Sequence, residues 1–226
     1  MTAPHRHFHD ELGNLTDRLL DMSSRAEQAL EDAVRALLDR DAALAERVIA
    51  ADAAIDDLEV ELEEQVTNLL ALQQPMAKDL RLLLAALKIS NDLERVGDHA
   101  VNIAECARRL TGAPHVTPKP ELIDMAAQVR KMLSDALSSF VKGDSEAARA
   151  VCMSDDAVDA LHRSMFRILL THMAEDPRTI GPAMELSLVS RNLERVGDLA
   201  TNIAEDVVFL VEGKTIKHHA EAKEVE

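Results

Sequence analysis

Apolar residues recur every three or four positions along nearly the whole chain, the spacing that turns one face of an α-helix towards a core. From Phe8 to about Arg40 the stripe reads Leu12, Leu15, Leu19, Met22, Ala26, Leu30, Val34 and Leu37. Asp41 is placed to cap a second helix reaching about Leu72, with Val48, Ile55, Leu58, Leu62, Val66 and Leu69 as its apolar positions. Gln73-Gln74-Pro75 interrupts it, because proline lacks the amide proton and restricts the residue before it. A third helix runs from about Ala77 to Leu110.

Residues 111–120 hold three of the seven prolines and mark a linker, after which the plan repeats. A fourth helix covers about Glu121 to Lys142, and Gly143 ends it. A fifth starts at Asp144 and reaches about Ala174, Glu175-Asp176-Pro177 makes a hairpin tip, and a sixth runs from about Arg178 to Val211. Gly181-Pro182 is expected to delay the regular start of that last helix, and Gly213 to close it. The predicted architecture is all-α: two tandem antiparallel three-helix bundles related by internal duplication. The first occupies residues 1–113, a linker 114–120 and the second 121–213, with a charged tail, 214–226, expected to be disordered.

The duplication is most visible in the third helix of each half. Residues 93–105 and 193–205 are the same but for two positions, and Leu-Glu-Arg-Val-Gly-Asp at 93–98 returns unchanged 100 positions later. Packing alone rarely demands identical polar residues, since cores accept apolar swaps. Glu94 and Asp98 are four apart and share a helix face, extended by Asn102 and Glu105. Leu93, Val96, Ala100 and Ile103 lie on roughly the opposite side. The middle helices carry matching acids, Asp52 and Asp56 in the first half and Asp155 and Asp159 in the second; His162 and Phe166 stand where the first half has Glu59 and Glu63. In an antiparallel helix pair, residues equidistant from the turn lie side by side. Asp52/Asp56 and Glu94/Asp98 are centred on Pro75, and Asp155/Asp159 and Glu194/Asp198 on Asp176-Pro177. The acids are therefore expected to face each other across each hairpin. A Gly inside each helix, Gly97 and Gly197, costs about 1 kcal/mol against Ala, which a close helix crossing or a ligand near the backbone would explain.

Four converging carboxylates repel unless neutralised. Arg95 and Arg195 are candidates for part of that task. A divalent or trivalent cation held by oxygen ligands (magnesium, manganese, iron or zinc) is the better one, and the competing reading is a salt-bridged surface that helps the helices pair. Asp-x-x-x-Asp by itself is weak evidence, because Asp17 and Asp21 have that spacing too and read as solvated. The alternating His5, His7 and His9 near the start read as solvated rather than as a metal hook.

Composition narrows the function classes. Aromatics are 2% of the chain and the net charge is −16, so nucleic acid is excluded as a main ligand by repulsion. Two cysteines, Cys106 and Cys152, form neither a disulfide framework nor a cysteine zinc site and are read as reduced thiols of a cytoplasmic protein. Neither a signal peptide nor a membrane-spanning run is visible, so direct membrane insertion is not expected.

The duplicated L-E-R-V-G-D-x-A-x-N-I-A-E, with Asp52-x-x-x-Asp56 and Asp155-x-x-x-Asp159 upstream, resembles the PhoU family of bacterial phosphate-signalling proteins over nearly the whole chain. Gln74-Pro75 with Asp79-Leu80-Arg81 is similar to the family's first-repeat turn; Thr179-Ile180-Gly181 lacks the Asp-Leu-Arg. The resemblance implies metal sites at Asp52, Asp56, Glu94 and Asp98 and at Asp155, Asp159, Glu194 and Asp198. It implies a non-enzymatic negative regulator, an adaptor between the phosphate ABC transporter ATPase and a sensor histidine kinase, cytoplasmic and homodimeric. His162 departs from an all-oxygen site and reads as an ordinary surface histidine. The rival readings are a metal-carboxylate store or ferritin-like di-metal enzyme and a plain helical scaffold. The ferritin-like class uses Glu-x-x-His pairs in a bundle core, and this chain has no Glu-x-x-His.

Overall fold

The computed structural model describes residues 3–113 and 120–216, and side chains from Phe8 onwards. The side chains of His5 and His7, the linker from 114 to 119 and the tail from 217 lie outside what is described. The elements are α1 (Ala3–Asp39), α2 (Ala42–Ala51), α3 (Ala53–Gln73), α4 (Ala77–Thr111), α5 (Pro120–Lys142), α6 (Ser145–Cys152), α7 (Asp155–Glu175), a 3-10 turn (Pro177–Thr179) and α8 (Ile180–Glu212). Every residue of the predicted first-helix stripe is buried.

Two expectations change. The middle helix of each repeat is not continuous: it breaks at Asp52 in the first and at Met153-Ser154 in the second. No glycine or proline marks either break. In the second, the Ser154 hydroxyl donates to the Ala150 carbonyl at 3.0 Å while its amide donates to Val151, so a short polar side chain competes with the regular ladder. Gly181-Pro182 does not delay α8; it sits inside the first turn, where a missing amide proton has no partner to lose.

The helix ends follow the predicted chemistry. The Asp41 carboxylate accepts from the Leu44 amide at 2.9 Å and the Asp144 carboxylate from Ala147 at 3.0 Å. Gly143 precedes the second cap at a φ of 62°, and its counterpart Arg40 adopts a φ of 55° despite carrying a side chain. Its guanidinium donates to the carbonyls of Leu110 and Ala113, tying the α1 turn to the end of α4. Gly213 closes α8 in the left-handed region, as expected.

The two repeats meet along α4 and α8, with α1 packed on α4 and α5 on α8, while α3 and α7 flank the pair. The seam is antiparallel. Arg81 Nε donates to the Leu210 carbonyl at 3.1 Å, Lys88 Nζ meets Asp206 at 3.1 Å, His99 Nδ1 lies 2.9 Å from Asn192 Oδ1, and Arg109 Nε meets Glu185 at 3.0 Å. Both copies of the motif fall in the middle of this seam, Gly97 level with Gly197.

The two glycines are not equivalent. A Cβ at Gly97 would lie 2.9 Å from Asp52 Oδ1 and 3.2 Å from Ile55 Cδ1, whereas one at Gly197 would meet Val158 at 3.4 Å, an ordinary contact. The close approach of α3 to α4 is therefore what Gly97 permits. Gly197→Ala is expected to stabilise the protein by about 1 kcal/mol, the helix-propensity gain, raising the melting temperature by ~2–4 °C. Gly97→Ala is expected to lose that gain to the displacement of Asp52 and Ile55. Parallel thermal melts of the two variants check the contrast.

Candidate functional site

The break before α3 leaves Asp52 at a helix start, where the positive end of the helix dipole favours a carboxylate. Its side chain makes no capping hydrogen bond there and is turned towards α4 at Gly97. Asp56 stands one turn further on, and Glu94 and Asp98 come from α4 across the hairpin; Asp52 and Glu94 are half-buried and Asp56 and Asp98 exposed. In the second repeat, Asp155 opens α7, Asp159 follows one turn later, and Glu194 and Asp198 face them from α8, all half-buried. The hairpin arithmetic thus holds: Asn91 donates to Glu59 at 3.2 Å and His162 lies 2.9 Å from Ser190 Oγ, pairs centred on the same two turns. His162 is engaged with Ser190 and is not turned into the acid cluster as a ligand.

The acids act on one another. Burial and then the charges of Asp56 and Asp98 push Asp52 up to about 6. Glu94 rises to about 6 through burial and the fields of Asp98, Glu59, Asp56 and Asp52. Asp155 also rises to about 6, through burial and the fields of Asp198, Asp159, Asp156 and Glu194. Each cluster holds more negative charge than its surroundings balance.

How far it is balanced differs between the repeats, and one substitution accounts for much of it. Arg95 lies 3.7 Å from Asp92, one turn back on α4 and away from the cluster. The position equivalent to Asp92 is Asn192, which carries no charge. Arg195 instead turns to Glu194 at 3.4 Å and Asp198 at 3.1 Å, and Arg163 takes Asp159 at 3.2 Å. Asp52, Asp56, Glu94 and Asp98 have no cationic side chain within ion-pair distance among the described residues. Arg95 therefore does not neutralise the first cluster, whereas Arg195 does so in the second. Composition could not assign this; the Asp92/Asn192 difference was visible in the sequence but acquires meaning only once the arginines are placed.

Among the described residues, no three His, Cys, Asp or Glu side chains converge closely enough to grip a cation as they stand. Beside the first cluster, towards the hairpin tip and lined by none of its four acids, lies a hollow of about 510 Å³ bounded by Glu59, Glu63, Asn91, Asp92, Asn202 and Asp206 among others, so that the Asn of the second motif reaches the first repeat across the seam. Asn102 is exposed. Cys106 is buried, Cys152 is half-buried and both are free thiols. Among the described residues no helix is long and apolar enough to cross a membrane.

Comparison with known proteins gives consistent matches. The PhoU domain family matches residues 19–107 and 122–207. The phosphate-specific transport system accessory protein PhoU homolog of Clostridium acetobutylicum is 39% identical over 210 residues, 92% of this chain and 96% of that one. The protein of the same description from Caulobacter vibrioides is 41% identical over 92% of this chain and 91% of its own. Among solved structures, PhoU from Pseudomonas aeruginosa superposes with a TM-score of 0.87 at 38% identity, covering 92% of this chain and all of the other. The phosphate transport system regulatory protein PhoU from Streptococcus pneumoniae gives 0.86 at 27% identity, over 93% and 99% of the two chains.

The raised acids set a pH dependence of stability. A carboxylate with a folded pKa above its unfolded value binds protons more readily in the folded state, so stability falls as pH rises from the unfolded value near 4 through about 6. Chelator-treated protein is expected to melt on the order of a few degrees higher at pH 5 than at pH 7. The difference should shrink in Asp52→Asn/Asp155→Asn, and melting curves of both proteins across this range check it.

Proposed function

The chain belongs to the PhoU family, and on that premise we propose that it is a negative regulator of phosphate uptake and phosphate-starvation signalling, a non-enzymatic adaptor linking the phosphate transporter's ATPase to a sensor histidine kinase. Its relatives are named as accessory or regulatory proteins of phosphate transport, which supports the coarser part of this reading. Long helical surfaces and two carboxylate clusters support the rest, and the same reading makes the protein cytoplasmic and a pair of two copies. This regulator acts by binding.

The observation that carries the metal part of the reading is the first cluster. Asp52, Asp56, Glu94 and Asp98 supply only oxygen donors and lack a cationic neighbour among the described residues, and burial with the charges around them raises the proton affinity of Asp52 and Glu94. That donor set fits a hard or borderline cation such as magnesium, manganese, iron or zinc, with water completing its shell. Asp155, Asp159, Glu194 and Asp198 form the second set, where Arg163 and Arg195 compete with the cation for three of the four carboxylates. A bound cation supplies positive charge that holds each hairpin's two helices together. Asp52 and Asp155 at the helix breaks and Glu94 and Glu194 on the seam helices would be among the residues that hold it. Gly97 leaves room for the Asp52 carboxylate. The arrangement is unlike a ferritin-like centre, since Asp56 and Asp98 face solvent rather than a bundle core.

Elemental analysis of protein purified without an affinity tag tests the metal. Wild type should retain stoichiometric metal, and Asp98→Ala/Asp198→Ala should lose most of it while keeping its helical content. Gly97→Ala should weaken metal retention with little change in fold stability. In cells grown at high phosphate, the double variant should release the starvation response. Unchanged metal content and unchanged regulation together would leave a plain helical scaffold as the better description.

A further inference from the structure

The two hairpins have diverged most at the surface. On the second, Phe166 and Leu170 of α7 and Ile180, Met184 and Leu188 of α8 are 59%, 55%, 46%, 53% and 41% exposed, values that make this a patch rather than a scatter. Of the four phenylalanines in the chain, Phe166 alone is exposed; Phe8 and Phe140 are buried and Phe209 is half-buried. The residues are level with one another. Phe166 and Leu188 lie equally far from Pro177, as do Leu170 and Met184, and Ile180, Met184 and Leu188 follow one another at a turn's spacing along α8. The corresponding positions of the first repeat are Glu63, Thr67, Leu80, Leu84 and Lys88, so the duplicated framework does not require the apolar residues at Phe166, Leu170 and Leu188 that widen the stripe in the second.

Charge changes in step. Residues 160–192 carry four arginines against three acids, whereas the matching residues 57–92 carry three basic groups against seven acids, in a chain of net charge −16. Arg163 and Arg191 are again equidistant from Pro177 and lie beyond the end of the stripe away from the hairpin tip, and Arg167 adjoins that end next to Phe166, so that the three form a basic collar around it. Arg163 is paired with Asp159, but Arg167 and Arg191 have no carboxylate within ion-pair distance among the described residues.

We propose that this face of the α7–α8 hairpin is the docking surface for a helix of a partner protein, apolar along one side and acidic at the end that meets Arg167 and Arg191. The inference rests on the adaptor reading and specifies the surface that reading leaves open. Five large apolar side chains across two parallel ridges form the seat of a helix in a groove. Two unpaired arginines at one end set its direction and speed its arrival from a distance. Charge complementarity selects the occupant. A second copy brings another body of net charge −16, while an acidic helix supplies what the collar lacks. The patch lies about two to five turns from Asp159 and Asp198 along the same helix faces, so partner and acid cluster share one surface of the molecule.

The test uses the full chain with two probes, the transporter's ATPase subunit and the cytoplasmic part of the sensor kinase from the same organism, and measures binding at several salt concentrations. Met184→Glu/Leu188→Glu changes exposed positions and is expected to weaken binding of one probe at least tenfold without changing the circular dichroism or the metal content. Arg167→Glu/Arg191→Glu is expected to slow association and flatten its salt dependence. Wild type and both variants binding a probe equally well would overturn the docking surface and leave the adaptor reading standing. If neither probe binds wild type, the adaptor reading falls and this inference with it. A wild-type dimer that becomes monomeric in Met184→Glu/Leu188→Glu would show the occupant to be a second copy, overturning the proposal.

Discussion

The antiparallel seam between α4 and α8 sets the positions of everything else. Two long helices packed face to face are rigid over their whole contact, and each carries one repeat's third-helix motif at its centre. Once they are fixed with Gly97 level with Gly197, α1 and α5 have their places on one side and α3 and α7 theirs at the flanks. The polar contacts along the seam, Lys88 with Asp206 and Arg109 with Glu185, set its register at both ends. Neither pair is preserved by the duplication: the equivalents of Lys88 and Asp206 are Leu188 and Cys106, and those of Arg109 and Glu185 are Phe209 and Ala85. The seam is thus pseudo-symmetric in backbone and asymmetric in chemistry.

That asymmetry extends to the acid clusters. Their carboxylates are near-copies, but the counter-charges are not, because Asp92 holds Arg95 away from the first cluster and Asn192 leaves Arg195 free to turn into the second. The first cluster is left with its mutual repulsion; the second relieves part of it through exposed ion pairs, each worth well under ~1 kcal/mol in water. On the proposed reading, a cation entering the second cluster would have to displace arginines, and one entering the first only water and protons. The same framework would then present two sites of unequal affinity, with no change in the acids themselves.

Much of the fold was legible because it follows from period and punctuation. The stripe from Leu12 to Leu37, the caps at Asp41 and Asp144 and Pro120 at the start of α5 each state a local preference that the packed structure satisfies. Hairpin geometry could also be read, since equal distances from Pro75 and from Pro177 decide which residues meet. The breaks at Asp52 and Ser154 were not legible. Neither carries a glycine or proline, and in the second the cue is one serine hydroxyl bonding the Ala150 carbonyl, a contact of a kind that Ser139 makes within an unbroken helix. Arg40 is a similar case: the left-handed turn that Gly143 adopts freely is held at Arg40 by hydrogen bonds to the end of α4, contacts 70 residues away that no local pattern records.

These breaks connect architecture to the candidate chemistry. A continuous middle helix would carry Asp52 and Asp155 on an unbroken cylinder, with their carboxylates competing for space with the side chains of the next turn. Ending one helix and beginning another there places each carboxylate at a helix start, where the dipole partly offsets the repulsion from the three acids opposite. The offset is worth only about 0.3–1 kcal/mol near a surface, and Asp52 and Asp155 remain shifted up to about 6 despite it. In the first cluster the fold therefore retains a strained charge distribution with no ion pair to relieve it among the described residues, whereas the second carries Arg163 and Arg195 on three of its acids. Stability alone would favour an arginine at the first cluster as well; the proposed cation would supply the positive charge that its absence leaves wanting.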